Sequence, residues 1–125
     1  MATWNEVDNF LQGLGMTEKD GLWSGFYKWD DGRSQTIIAV KVDLEGDALD
    51  ALMVASPFAK VGAVSADQAL ESAVAYGVRK LGDFYCLTDT VPIADLDDSE
   101  VMVTFEMLAR LADHAEQKHS THDNH

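Results

Sequence analysis

The sequence predicts one α+β domain, an antiparallel sheet with helices mainly on one face. Three observations carry that expectation. Apolar residues recur at helical spacing after capping signals at Thr3 and Ser65, and again after the acidic run that ends at Glu100. Gln35 to Phe58, QTIIAVKVDLEGDALDALMVASPF, sets two apolar runs about a short polar turn and reads as a long β-hairpin. Further apolar segments, rich in aromatic residues or of strand-like alternation, stand on either side of it. The predicted order is helix, three strands, helix, one or two strands, helix, with the domain spanning 1–118 and a polar, disordered tail over 119–125.

Helix one starts at Thr3, with Glu6 completing a capping box. Trp4, Val7, Phe10, Leu11 and Leu14 give one apolar stripe, and Gly13 and Gly15 stop the helix. The stripe reads as packing on the sheet, with Trp4 and Phe10 as candidates for a partner surface. A loop over Met16–Gly21 leads to the aromatic strand Leu22–Asp30, in which Trp23, Tyr27 and Trp29 share a face. That row reads either as a sheet face under a helix or as an exposed binding surface. Gly25 marks a bulge or a close approach, and Asp31-Gly32 is a hairpin turn signal.

In the central hairpin Ile38, Val40 and Val42 alternate with Ala39 and Lys41, the turn is Glu45-Gly46-Asp47, and Pro57 ends regular pairing. Ala39, Ala51 and Ala55 form an expected face of small residues that lets a helix approach closely. Helix two runs from Ala66 to about Tyr76, capped by Ser65 with Gln68, with Ala69, Leu70, Ala73 and Val74 on one side and Gly77 as its stop. Val78–Ile93 is strand material, one strand or two. Cys86 within it reads as a small buried hydrophobe rather than a nucleophile. Helix three runs from about Ser99 to about Lys118. Val101, Phe105, Leu108 and Ala112 form its stripe, widened by Met102, Met107 and Leu111, which are candidates for a dimer or partner surface.

Charge excludes several classes of function. With 22 acidic and 9 basic residues the net charge is −13, which repels nucleic-acid phosphate and anionic membrane alike. The single cysteine rules out an internal disulfide and suits a reducing cytoplasm. The opening residues lack the basic and apolar regions of a signal peptide, and no apolar run is long enough to span a bilayer. The run Asp95–Glu100 lacks the glycine and the spaced glutamate of a calcium loop and reads as a helix start. His119, His122 and His125 could hold zinc or nickel only weakly, and read as a solvated tail. No cofactor is expected.

The chain resembles the type III secretion chaperones of the Tir-chaperone type and the related YbjN-like bacterial regulators. The resemblance lies in Phe10-Leu11-x-x-Leu14 on helix one, in Leu52-Met53-Val54-Ala55-Ser56-Pro57 closing the meander, and in Ala69-Leu70 with Ala73. It continues in Gly82-x-Phe84 and in Leu108-Ala109-x-x-Ala112-Asp113. It covers about Trp4 to Glu116 and rests on order and spacing. It implies a non-enzymatic homodimer that binds an extended segment of a partner on apolar surface, and an acidic surface of this kind favours basic clients. The departure is Val78–Ile93, short for the pair of strands that the family carries there. Two other functions stand beside this one. A small-ligand sensor needs an enclosed apolar cavity. An enzyme would draw on Asp30, Asp31, Glu45, Asp47, Asp83 and Asp89, all near turns.

Overall fold

The computed structural model describes residues 3–44, 49–73, 76–94 and 96–123. It is an α+β fold of three helices and six strands: α1 Trp4–Gly13, β1 Thr17–Lys19, β2 Leu22–Lys28, β3 Ser34–Leu44 and β4 Leu49–Lys60, then α2 Ala66–Glu71, β5 Gly77–Leu81, β6 Phe84–Pro92 and α3 Asp98–Asp123. The strands form one sheet in the order β1-β2-β3-β4-β6-β5, every pair antiparallel.

Local chemistry sets the ends of the elements. The Thr3 hydroxyl accepts from the Glu6 N–H at 3.3 Å and caps α1. Met16 N–H then reaches Leu11 C=O and Gly15 N–H reaches Gln12 C=O, with Gly15 at φ +84°. That paired closure needs the left-handed backbone glycine tolerates best. Ser65 and Gln68 form the full reciprocal box at α2. Asp97 accepts from the Glu100 N–H at 2.9 Å and starts α3.

Register decides which residues face the helices. Trp23 pairs with Ala39, and Ala39 with Val54, so these three share a row. Strand alternation adds Ile37, Leu52 and Leu87 to the same face. All of them join Val7 and Leu11 of α1, Ala69 of α2, and Val101, Phe105, Leu108 and Ala112 of α3 in one core. The described helices therefore cover a single face, with α3 lying across β4, β3, β6 and β2. Leu22, Phe26, Ile38, Val40, Ala51, Met53, Ala55 and Cys86 point to the other, bare face.

Several expectations change here. Ala39 lies on the covered face and Ala51 and Ala55 on the bare one, because the register of β3 with β4 pairs Ala39 with Val54 and Ile38 with Ala55. The small-residue face is thus split; the turn Glu45-Gly46-Asp47 lies outside the described residues. Residues 17–19 are a strand rather than loop: Asp20, at φ +55°, and Gly21, at φ +83°, form a tight hairpin turn into β2. Val78–Ile93 is two strands that turn at Gly82. Helix two stops at Glu71 rather than near Tyr76, and Gly77 opens β5 instead of ending a helix. The Ser72 hydroxyl donates to Gln68 C=O at 3.2 Å at that terminus. Leu70 is exposed, while Ala69 is buried; Val74 lies outside the described residues.

The tail also differs from expectation. Helix α3 continues to Asp123, and His119 is only 5% exposed. Its ring faces Phe58 at 5.9 Å between centroids, and its Nε2 lies 2.8 Å from the Ser72 Oγ. Burial against Phe58 and Ser72 holds a polar-looking segment in the helix.

Candidate functional site

The sheet is incomplete at two places, and both gather apolar side chains. The first is the edge of β2. Strand β1 covers β2 from Leu22 to Ser24 and Met16 lies across Gly25, so among the described residues Phe26–Lys28 has no strand on its outer side. A hollow of about 590 Å³ runs along this edge, lined by Leu14, Gly15, Met16, Phe26, Met102 and Phe105 among others. Phe26 is 67% exposed, and Leu14 and Met102 are exposed as well. Gly25 fits here because Met16 lies across it: a Cβ would stand 2.9 Å from Met16 Cγ. That is the close approach expected at this glycine.

The second place is where β3 and β4 part. Their pairing ends at Ile38 with Ala55, while β4 continues beside β6 to Lys60 through a register shift between Pro57 and Ala59. Pro57 ends pairing toward β3 only. The parted strands are bridged by side chains: the Gln35 Nε2 donates to Pro57 C=O and the Ser56 Oγ donates to Thr36 C=O. Both bridging residues are buried, which satisfies backbone carbonyls a closed ladder would have used. A cavity of about 540 Å³ opens there, lined by Thr36, Ile38, Pro57, Phe84 and Cys86, and by His119 and Glu116.

The structure distributes the candidate surface residues unevenly. Trp23 is a core residue at 9% exposure, so it is no free binding surface. Tyr27 and Trp29 are half-buried against the core and meet edge to face at 5.3 Å between centroids. The aromatic row is thus mainly a sheet face beneath helices. Trp4 and Phe10 are half-buried, with the Lys41 ammonium 5.3 Å from the Trp4 ring centroid. Leu111 is half-buried, while Met102 and Met107 stand exposed beside Val103. Sequence reasoning missed Leu14 and Phe26 as surface groups. The signal was present for Phe26, which alternates out of register with Trp23 and Tyr27.

The candidate acid–base carboxylates do not converge. Asp30 and Asp31 lie at the β2–β3 turn and Asp83 at the β5–β6 turn, all exposed, and Asp89 is on the covered face. Asp31 serves its own turn, accepting from the Arg33 N–H at 3.0 Å. Glu45 and Asp47 lie outside the described residues. Burial, and then the Asp89 charge, raises the Tyr76 pKa. Cys86 is 1% exposed, and burial pushes its thiol up to about 11, so it is neutral and shielded at ordinary pH. Among the described residues no three His, Cys, Asp or Glu gather as a metal site, and no helix is long and apolar enough to cross a membrane.

Comparisons with protein-family models, with curated proteins and with solved structures found no match to this chain.

Proposed function

We propose that the chain is a non-enzymatic protein-binding module, chaperone-like or regulatory, that works as a homodimer and takes an extended segment of a partner polypeptide. The observation that carries this is the uncovered edge of β2 at Phe26–Lys28, with Leu14 and Met102 on one side and Phe26 on the other. An added strand would hydrogen-bond to that edge and set alternate side chains against both apolar flanks. Exposed Met102 and Met107 provide adaptable contacts of the kind such surfaces use. The order of helices and strands, β1 aside, also follows that of the type III secretion chaperones. A lone, reduced Cys86 suits the cytoplasm as the working compartment.

The hollow along β2 is an open trough, which favours a chain segment over an enclosed small ligand. Amide hydrogen exchange tests the reading directly. The protein would be isolated from its source with whatever polypeptide accompanies it, and compared with the protein alone. Slowed exchange confined to the β2 edge supports strand addition. Unchanged exchange at Phe26–Lys28 in a proven complex rejects it. Sedimentation of the protein alone separately decides the dimer.

A further inference from the structure

The bare face of the sheet carries charge opposite to that of the whole molecule. In a chain with 22 acidic residues, none of the described strand positions on this face, from β1 to β5, is Asp or Glu. The covered face does hold strand carboxylates, at Glu18, Asp50 and Asp89. Low strand propensity of acidic residues therefore does not explain the difference between faces.

Basic residues stand there instead. Register places Lys19 with Leu22, Lys60 with Phe84 and Arg79 with Cys86, all on the bare face, and alternation adds Lys28. These are four of the chain's 9 basic residues, and all four are exposed. They lie at the margins, on β1, on the last residues of β2 and β4, and on the edge strand β5. No carboxylate among the described residues pairs with any of them. By contrast Arg33, Lys41 and Arg110 each have one, in Asp113, Asp8 and Glu106. Arg79 instead reaches the Met53 sulfur at 3.6 Å.

Between the cations the middle of this face is mainly apolar on β3 and β4, with Thr88 and Thr90 beside it on β6. Ala51, Met53, Ala55 and Cys86 lie along it at 6% exposure or less, with half-buried Ile38 and Val40 beside them on β3 and exposed Phe84 further along β6. Small residues on a sheet allow a helix to lie close, as the covered face already shows at Ala39. A second copy of this chain fits poorly. Face-to-face packing would bring two sets of unpaired cations together with no strand carboxylate between them. An anionic membrane fits poorly as well, because the remaining surface carries the whole negative excess.

We infer that the bare face binds an acidic amphipathic helix of a partner polypeptide, its apolar stripe against Ile38, Val40 and Met53 and its flanking carboxylates at Lys19, Lys28, Lys60 and Arg79. The inference rests on the reading of the chain as a protein-binding module, but on a different surface from the β2 edge. At this face the local charge, not the net charge, would select the partner.

The test uses the full chain and two synthetic helical peptides with the same leucine stripe, one flanked by glutamate and one by lysine, each carrying a fluorophore. Anisotropy is expected to show the glutamate peptide binding at least about tenfold tighter, with affinity falling as salt rises. The double variant Lys60→Glu, Arg79→Glu, confirmed folded by circular dichroism, is expected to remove that preference. Met102→Ser, beside the β2 edge on the opposite face, is expected to leave it unchanged. Absent binding, equal binding of the two peptides, or a preference indifferent to the charge reversal overturns the inference. So does a preference abolished by Met102→Ser, which would assign the peptide to the β2 edge. Stronger capture by vesicles of phosphatidylcholine and phosphatidylglycerol, or a homodimer that the double variant dissolves, overturns it in favour of a lipid surface or a second copy.

Discussion

Ser72, at the C-terminus of α2, and His119, near the end of α3, meet through Oγ and Nε2 at 2.8 Å. They are far apart in sequence, and the contact ties the short α2 to the long α3 over the Phe58 ring. Its first consequence concerns the C-terminal segment. Replacing His119 with alanine removes buried ring surface and leaves the Ser72 hydroxyl without this partner. The expected loss is about 2 kcal/mol in urea unfolding, as for other buried polar side chains with a packing role. A midpoint unchanged by His119→Ala would return residues after Lys118 to the role of a solvated tail.

The two faces of the sheet make a second prediction. Ala39 lies under the helices at 0% exposure, and Ala51 lies on the bare face at 4%. Leucine at position 39 must displace α1 or α3 and should cost about 1–3 kcal/mol. Leucine at position 51 meets only its neighbours on the sheet, with no described helix above it, and should cost less than leucine at position 39. Equal destabilisation by the two substitutions in thermal or urea unfolding would contradict the assigned register.

Acid should act on the start of α3. The Ser99 hydroxyl and then the Glu100 N–H donate to the Asp97 carboxylate and hold its pKa below the usual value. A carboxylate lowered on folding contributes stability that is fully present above its unfolded pKa, about 4, and is lost as pH falls through the folded value. Asp97→Asn keeps a capping oxygen but does not titrate. Melting temperatures of the two proteins should therefore converge as pH drops from about 6 to about 3. A difference that stays constant over that range would remove Asp97 from the acid response.

Cys86 supplies a probe of the sheet itself. Its thiol is buried and its pKa is raised to about 11, so iodoacetamide at neutral pH should label it only as fast as the protein opens. Mass spectrometry should find quantitative labelling in denaturant and little without it. Rapid labelling of the native chain would mean that the centre of the bare face is accessible.

Much of the fold was legible in the chain, for identifiable reasons. The caps at Thr3 and Ser65 and the stripe Val101, Phe105, Leu108 and Ala112 are local signals, and each lies where spacing placed it. Strand β1 was missed although Asp20-Gly21 is as strong a hairpin turn as Asp31-Gly32, because three residues are too few to show alternation. The end of α2 was misplaced because Gly77 is a plausible stop, and nothing local reveals that it must pair with Thr88. The surfaces were the least legible. Met102 and Met107 were singled out and are exposed, but the bare face depends on which parity of β3 meets which parity of β4. The hairpin register fixes that parity, and the charges that mark the face come from four different strands.

The sorting of strand charges between the two sides of one sheet sets up a local electric field along the sheet normal. Its positive end is the bare face, and its negative end is the covered face with Glu18, Asp50 and Asp89. An approaching acidic body would be turned toward the correct side before any atom touches. That guidance reaches only about 8 Å at physiological ionic strength and about 30 Å in dilute buffer. Encounter rates measured at low salt would therefore overstate how well this protein finds its partner inside a cell.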